Sequence, residues 1–572
     1  MALLQGQCDL IQSPDAVDFV VRENDPSLVY IRENADVCVA QTLSGGYLLC
    51  YIHRDDAESL ISTLGSSFAS SESIVLGMLS ALPLEASGIT QVHNQPYLDL
   101  KGRDVLVGIV DTGIDYTLPI FLRADGTSKI QFLYDQTASG PPPETFVFGT
   151  EYTNEQINLA LQSPNPYEIV PQRDNSGHGT FIASAAAGGP VDGFSGAAPD
   201  ADLIVVKLDR SKPFYYDRFL VPPEQENAFS SNYVMVGVEY ILQKARELGR
   251  PVSICIALGS NFSGHDGYSI FEEYLSGAAG QKGVCLCIAA GNESLARHHL
   301  QGKLTATGET QNMDLQVGTN AGDILLSLWN NIADRLSVSV RSPSGELVGR
   351  IPAKQGPAQT TNLVLETSTV SVRYFFPLET SGSQLTTIRI LNATPGIWTI
   401  VVHGDIVLDG QFNCWLPLTG FVSPSVEFLS ATPYTTITVP GTAINAICIG
   451  AYNSFTNSLF MQSSWGPTRT PMMAPDLVAP GENIRGYYPS DSGTISGTMS
   501  GTGVAAAITA GACALLLQWG VVEGNDASLS TYQIRAYLIR GCERSTAMEY
   551  PNPQWGYGKL NLLQTFEYMR IL

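Results

Sequence analysis

The stretches VDTGIDY, RDNSGHGTFIASAAAGG, LCIAAGNES and SGTGVAAAITAGACALLLQWG hold the side chains of this 572-residue chain best suited to chemistry. Asp111 ends the apolar run VLVGIVD, so its carboxylate is delivered at the carboxyl end of a buried strand, where open α/β sheets place their sites. His178 stands between two glycines at the start of an Ala-rich helical run, and those glycines permit close backbone approach. An imidazole oriented by a carboxylate can draw a proton from a hydroxyl nucleophile. Asn292 follows another buried run, where its side-chain amide could donate to a developing oxyanion. Singly, each residue has a plainer reading: a strand-ending turn, a structural histidine, an Asx turn.

The run SDSGTISGTMSGTG offers serines at 492, 496 and 500, each in an SGT triplet. It also offers Asp491-Ser492-Gly493, which could pair with Asp111-Thr112-Gly113 as two carboxylates sharing one proton, the apparatus of pepsin-like aspartic proteases. The context opposes that pairing. YYPSDSGT lacks an apolar strand to deliver the second aspartate, and the flanking chain is α/β and not paired β-barrels.

Taken in order, Asp, His, Asn and a Gly-Thr helix start resemble the subtilisin-like serine proteases (subtilases, peptidase S8). The resemblance covers residues 101–302 and 435–572 and extends to SSWGP and APDLVAPGENI. Within that superfamily the chain is similar to the Csp germination proteases of clostridial spore-formers, through its N-terminal α+β unit, its β insertion and the stretch from Ser500 to Gly520. The resemblance implies that Asp111 and His178 are the Asp and His of a triad and Asn292 its oxyanion donor. It also implies that Leu258 and Gly259, in ALGS, form the edge strand that pairs with substrate backbone, and that a prodomain junction lies near Ala86-Ser87.

The family's nucleophile is the serine of Gly-Thr-Ser. Aligned without a gap through AAAITAGACALLL, that position holds Gly503. Ser500 falls three residues upstream, nearly a full helical turn away, and Ser496 lies further still. Ala507 and Ile508 also replace the Pro and His common in the motif. The expectation is therefore a catalytically inactive, Csp-like pseudoprotease acting as a sensor or regulator in spore germination. The alternatives are an active serine endopeptidase that processes a cortex-lytic zymogen, with Ser496 or Ser500 recruited, and a scaffold that binds protein segments in the old substrate groove.

The elements that must position these residues divide the chain into four stretches. Residues 1–86 form a small α+β unit, the prodomain of the resemblance, with SLVYIREN and GGYLLCYIH read as strands and DDAESLISTLGSSF as an amphipathic helix. Residues 87–302 and 433–572 alternate short apolar runs with helical stretches, which is the pattern of a three-layer α/β domain with a parallel sheet. Residues 303–432 alternate in strand-length segments with regular turns, an inserted all-β sandwich or jelly roll.

Composition narrows the classes further. The chain carries 31 basic and 54 acidic residues, a net charge of −23, which argues against nucleic acid or an anionic membrane as main partner. Its ten cysteines show no zinc spacing and are expected to be reduced thiols. No cofactor or metal is expected. No apolar run is expected to approach the ~20 residues of a membrane span. MALLQGQCDLIQSPDAV lacks a basic n-region, so the chain is expected to fold inside the cell that makes it; the resemblance implies the developing spore, in the coat or cortex region, and otherwise the cytoplasm. Expected partners are the chain's own prodomain, other Csp proteins, a cortex-lytic zymogen or a small-molecule germinant.

Overall fold

The computed structural model describes residues 10–11, 13–78, 85–489 and 495–569. A nine-stranded sheet carries the α/β region, with neighbours in the order Ser458–Leu459, Ile447–Asn453, Val284–Ala289, Val252–Ile256, Leu106–Asp111, Asp202–Lys207, Ile130–Asp135 and Thr150–Thr153, and with Leu477–Pro480 also on Ile447–Asn453. The central pairings are parallel, and the edge strands Ser458–Leu459 and Thr150–Thr153 are antiparallel. Strands such as VCLCIA are buried along their whole length because helices cover both faces.

Alternate residues of each strand enter two separate cores. Leu106, Val110, Ile254 and Leu286 pack with the helices Ser231–Leu248 and Ile270–Ala279. Val107, Ile109, Cys255 and Cys287 pack with His178–Ala187 and Thr502–Leu517. Every residue of Thr502–Leu517 is buried, and its small side chains allow that proximity: a Cβ on Gly511 would overlap Ala197. With the helical turn that follows, residues 502–522 are long and apolar enough to cross a bilayer, contrary to expectation. Yet 89% of the apolar window is buried inside the protein, so packing accounts for its hydrophobicity.

Among its described residues, the N-terminal unit has a three-stranded antiparallel sheet, Ala16–Arg22, Tyr47–His53 and Cys38–Leu43, with three helices. Its core is continuous with that of Ser231–Leu248. SLVYIREN is a helix, Ser27–Asn34, and not a strand. Asp25 accepts the Ser27 amide and hydroxyl at 2.8 and 2.7 Å, and Leu28 and Ile31 are buried at helical spacing, so a local turn-starting carboxylate overrides the β preference of Val-Tyr-Ile. Among the described residues, eight cysteines are buried free thiols, whereas Cys38 is disulfide-bonded, so the all-thiol expectation fails there.

The insertion is a sandwich of a six-stranded and a five-stranded antiparallel sheet, running from His299–Lys303 to Val426–Phe428, around its own core. Its first strand thus begins within the stretch assigned by sequence to the α/β domain.

The described part of the SGT run is not the flexible lead-in that its repetitive sequence suggests. Ile495–Met499 pairs antiparallel with Ile484–Tyr488 as a two-stranded ribbon. Asp491, Ser492 and Gly493 lie outside the described residues.

Candidate active site

Asp111 is the last residue of Leu106–Asp111 and is fully buried. Its Oδ1 accepts the Thr112 amide at 2.7 Å and lies 2.7 Å from His178 Nδ1. That pairing presents Nε2 as the working nitrogen of the ring. His178, also buried, opens the helix His178–Ala187 directly after Gly177, whose φ is +80°. A Cβ on Gly179 would overlap the Gly113 carbonyl oxygen, so the second glycine of Gly-His-Gly is what lets the helix start touch the turn after Asp111.

Asp174 ties these two segments together and was missed by the sequence reading. It is buried and accepts five hydrogen bonds: Thr112 Oγ1 at 2.8 Å, Ser176 N at 3.2 Å, Gly177 N at 2.8 Å, Thr180 N at 2.8 Å and Thr180 Oγ1 at 2.7 Å. Thr112 Oγ1 in turn accepts the Gly179 amide at 2.9 Å. An Asp just before a helix, facing its unpaired amides, was the available signal.

Asn292 joins the opposite wall. Its Oδ1 accepts the Thr502 amide at 3.0 Å and hydroxyl at 3.2 Å, and Thr502 Oγ1 accepts the Gly291 amide at 3.0 Å. With Oδ1 so committed, Nδ2 is the end of the carboxamide left to donate to an oxyanion. Thr502 is the first residue of its helix and Gly503 the second. Gly503 is buried with helical backbone and is absent from the positive-φ glycines, so this backbone accepts an L side chain. Gly501, at φ +149°, separates the helix from Ser500. Ser500 is exposed and its Oγ accepts the Asn483 amide at 3.2 Å, while Ser496 is exposed on the ribbon opposite Tyr487.

The predicted groove edge, Leu258–Gly259, is a buried two-residue strand. It is already paired: Leu258 with Met78 and Gly259 with Gly77, both antiparallel. On its other side the same N-terminal strand pairs Val75 with Ser230 and Leu76 with Phe229. The scaffold reading would therefore require a binding partner to displace the chain's own Val75–Met78. Ala86 and Ser87 are not in that strand. They form a 3₁₀ turn with Ser87 buried, where the Ala86 carbonyl accepts the Tyr452 hydroxyl at 3.5 Å.

Glu293, immediately after Asn292, is also buried. Its Oε2 accepts His298 Nδ1 at 2.9 Å and Asn261 Nδ2 at 3.2 Å, and Oε1 accepts the Thr419 amide at 3.2 Å. Burial pushes its carboxyl up, but His298 and Thr419 outweigh that and hold it below its ordinary value. Asn261 lies just beyond the groove edge and Thr419 on the return from the sandwich. One carboxylate thus links oxyanion turn, groove edge and insertion.

Among the described residues, the sulfurs of Cys285, Cys287 and Cys513 lie within 4.8 Å of one another. Burial raises all three thiols well above their ordinary range. Metal ligation needs thiolates, so this environment favours neutral core thiols.

A family model described as the subtilase family matches residues 102–322 and 428–558, which take in the two halves of the α/β domain and the first strands of the sandwich. The CspB protease of Clostridium perfringens is similar in structure, with a TM-score of 0.75 and 32% identity, covering 85% of this chain and 98% of that one. The subtilisin-like protease SBT2.4 of Arabidopsis thaliana is 32% identical over 128 residues, which span 18% of this chain and only 15% of that protein.

Proposed function

Because the chain belongs to the subtilase family, we propose that it is a Csp-like member that regulates bacterial spore germination without cleaving peptide bonds. The observation that carries this reading is the register of Thr502. Three hydrogen bonds to Gly291 and Asn292 tie it to the oxyanion turn. The residue after it, where the family's serine stands, is Gly503. Reaching Ser500 would mean sliding a wholly buried small-residue helix against both neighbours, which close packing opposes. The likeness to the CspB protease of Clostridium perfringens supports the Csp branch.

In this reading the N-terminal unit is a retained prodomain whose strand Val75–Met78 fills the groove. The working location is the developing spore, and the partners are other Csp proteins, a cortex-lytic zymogen or a small-molecule germinant. The endopeptidase reading keeps one observation in its favour, the intact Asp111–His178 pair at 2.7 Å.

Intact mass and fluorophosphonate labelling of the purified chain separate the two. Fluorophosphonates report serines activated by a base. The expected result is one uncut chain without label. Stoichiometric label on Ser496 or Ser500, or a new N-terminus such as Ser87, would establish the endopeptidase instead.

A further inference from the structure

An open pocket of about 390 Å³ lies where the three structural units meet. The helix Arg54–Leu64 of the N-terminal unit lends it Arg54, Asp55 and Glu58, the helix Pro213–Phe219 lends Phe214, Asp217 and Arg218, and the sandwich strand Gln384–Leu391 lends Arg389. None of these residues belongs to the cleft around Asp111 and His178.

The cations here are not equally compensated. Arg54 pairs with Asp217, and Arg218 grips Glu72 through two nitrogens at 2.9 and 3.1 Å. Nearby Arg373 reaches Glu58 at 3.6 Å. Among the described residues, Arg389 pairs with no carboxylate. One terminal nitrogen donates to the Asp217 carbonyl oxygen at 2.8 Å, and its buried Nε has no acceptor. Burial, and then the charge of Arg218, hold both Arg373 and Arg389 below the usual guanidinium range, with Glu58 acting in the opposite sense on both.

We propose that this junction binds a small molecule carrying a carboxylate or a phosphate, with the anion against Arg389 and the rest of the ligand over the Phe214 ring. A guanidinium presents a fork of donors suited to such oxyanions. The pocket falls in the size range of small-molecule sites, ~300–1,000 Å³. Of the three lining carboxylates, Asp217 is engaged by Arg54 and Glu58 by Arg373, and Asp55 is exposed to solvent with His53 Nδ1 3.4 Å away, which reduces their repulsion of an anion. A ligand there touches the N-terminal unit, the α/β domain and the sandwich at once, so binding stiffens the junction by linkage. The inference is independent of what stands at position 503.

The test uses the full chain, titrated with inorganic phosphate and with benzoate against sodium chloride at matched ionic strength. Calorimetry reads binding, and hydrogen exchange reads Arg54–Leu64, Pro213–Phe219 and Gln384–Leu391. Saturable binding of either probe, slower exchange in all three segments and a loss of roughly tenfold or more in affinity in Arg389→Gln are expected. Arg389→Lys, which keeps the charge but loses the fork, should recover only part. Arg54→Gln supplies the same test should Arg389→Gln not fold. Absence of saturable binding by both probes, or unchanged affinity in the variants, overturns the proposal.

Discussion

Thr502 and Asn292 share one oxygen: the amide and the hydroxyl of Thr502 both donate to Asn292 Oδ1, at 3.0 and 3.2 Å. This contact does two things. It turns the carboxamide so that Nδ2 is the group left for an oxyanion, and it pins the first turn of the helix that carries Gly503. Thr502→Val removes the hydroxyl and strands the Gly291 amide that it accepts. A loss of about 1–3 kcal/mol in unfolding free energy is expected; an unchanged denaturation midpoint would show that the helix start is held otherwise.

Gly503→Ser tests what the position can do. The helical backbone there tolerates a side chain, and Asp111 already orients His178. Fluorophosphonate labelling at residue 503 is the expected gain, with self-cleavage near the expected junction at Ala86-Ser87. A folded variant that neither labels nor cuts would mean that His178 and Asn292 do not converge on residue 503.

Asp174 should matter as much as either member of the pair it positions. Asp174→Ala leaves five donors unmatched in a buried site, and a cost of ~3–5 kcal/mol is expected. Asp174→Asn keeps the shape and some acceptor capacity and should cost less. Denaturant unfolding of both variants checks the ranking.

Gly179→Ala probes the contact between helix and turn. Its methyl group would overlap the Gly113 carbonyl, so a loss of at least ~2 kcal/mol is expected. A variant as stable as the parent would mean that the turn after Asp111 can retreat freely.

Docking of the N-terminal unit should depend on pH through Asp18. Burial raises its carboxyl from 3.8 to about 6, with the Asn232 hydrogen bond and the charge of Lys212 acting in the opposite sense and Asp209 adding to the rise. Tyr215 donates to the Asp18 carbonyl, and Tyr51 and Tyr233 also face the group. Since the folded value is raised, the stabilisation is complete below 3.8 and is lost as pH rises through about 6. The full swing is about 3 kcal/mol. Hydrogen exchange in Ala16–Arg22 should therefore quicken from pH 5 to 7.5 beyond its intrinsic pH dependence, and Asp18→Asn should flatten that excess. The same slope in the variant would assign the effect to another group, such as Glu272, whose carboxyl burial lifts to about 7.

The sheet and the four site motifs were legible because buried parallel strands read as unbroken apolar runs and each motif is local. What the sequence concealed depends on partners distant in the chain. SLVYIREN has strand-forming residues, and only Asp25 with the buried pair Leu28 and Ile31 makes it a helix. The SGT repeat looks loose until Ile484–Tyr488 pairs with it. Asp174 reads as one polar residue among several until its five donors are assembled around it. Glu293 gave no signal at all, because its partners Asn261, His298 and Thr419 come from three separate stretches.

That last arrangement bears on modularity. The return from the sandwich donates Thr419 to Glu293 and seats Trp415 between His265 and His299, with ring centroids 4.2 and 4.6 Å away. Excising the insertion and rejoining its ends would remove one donor from a buried carboxylate next to Asn292 and unroof the buried imidazole of His265. The sandwich is therefore no detachable accessory. It is a structural complement of the cleft, and a minimal domain cut down to the two α/β halves would need a substitute for Thr419 and Trp415 before its oxyanion turn could take its native shape.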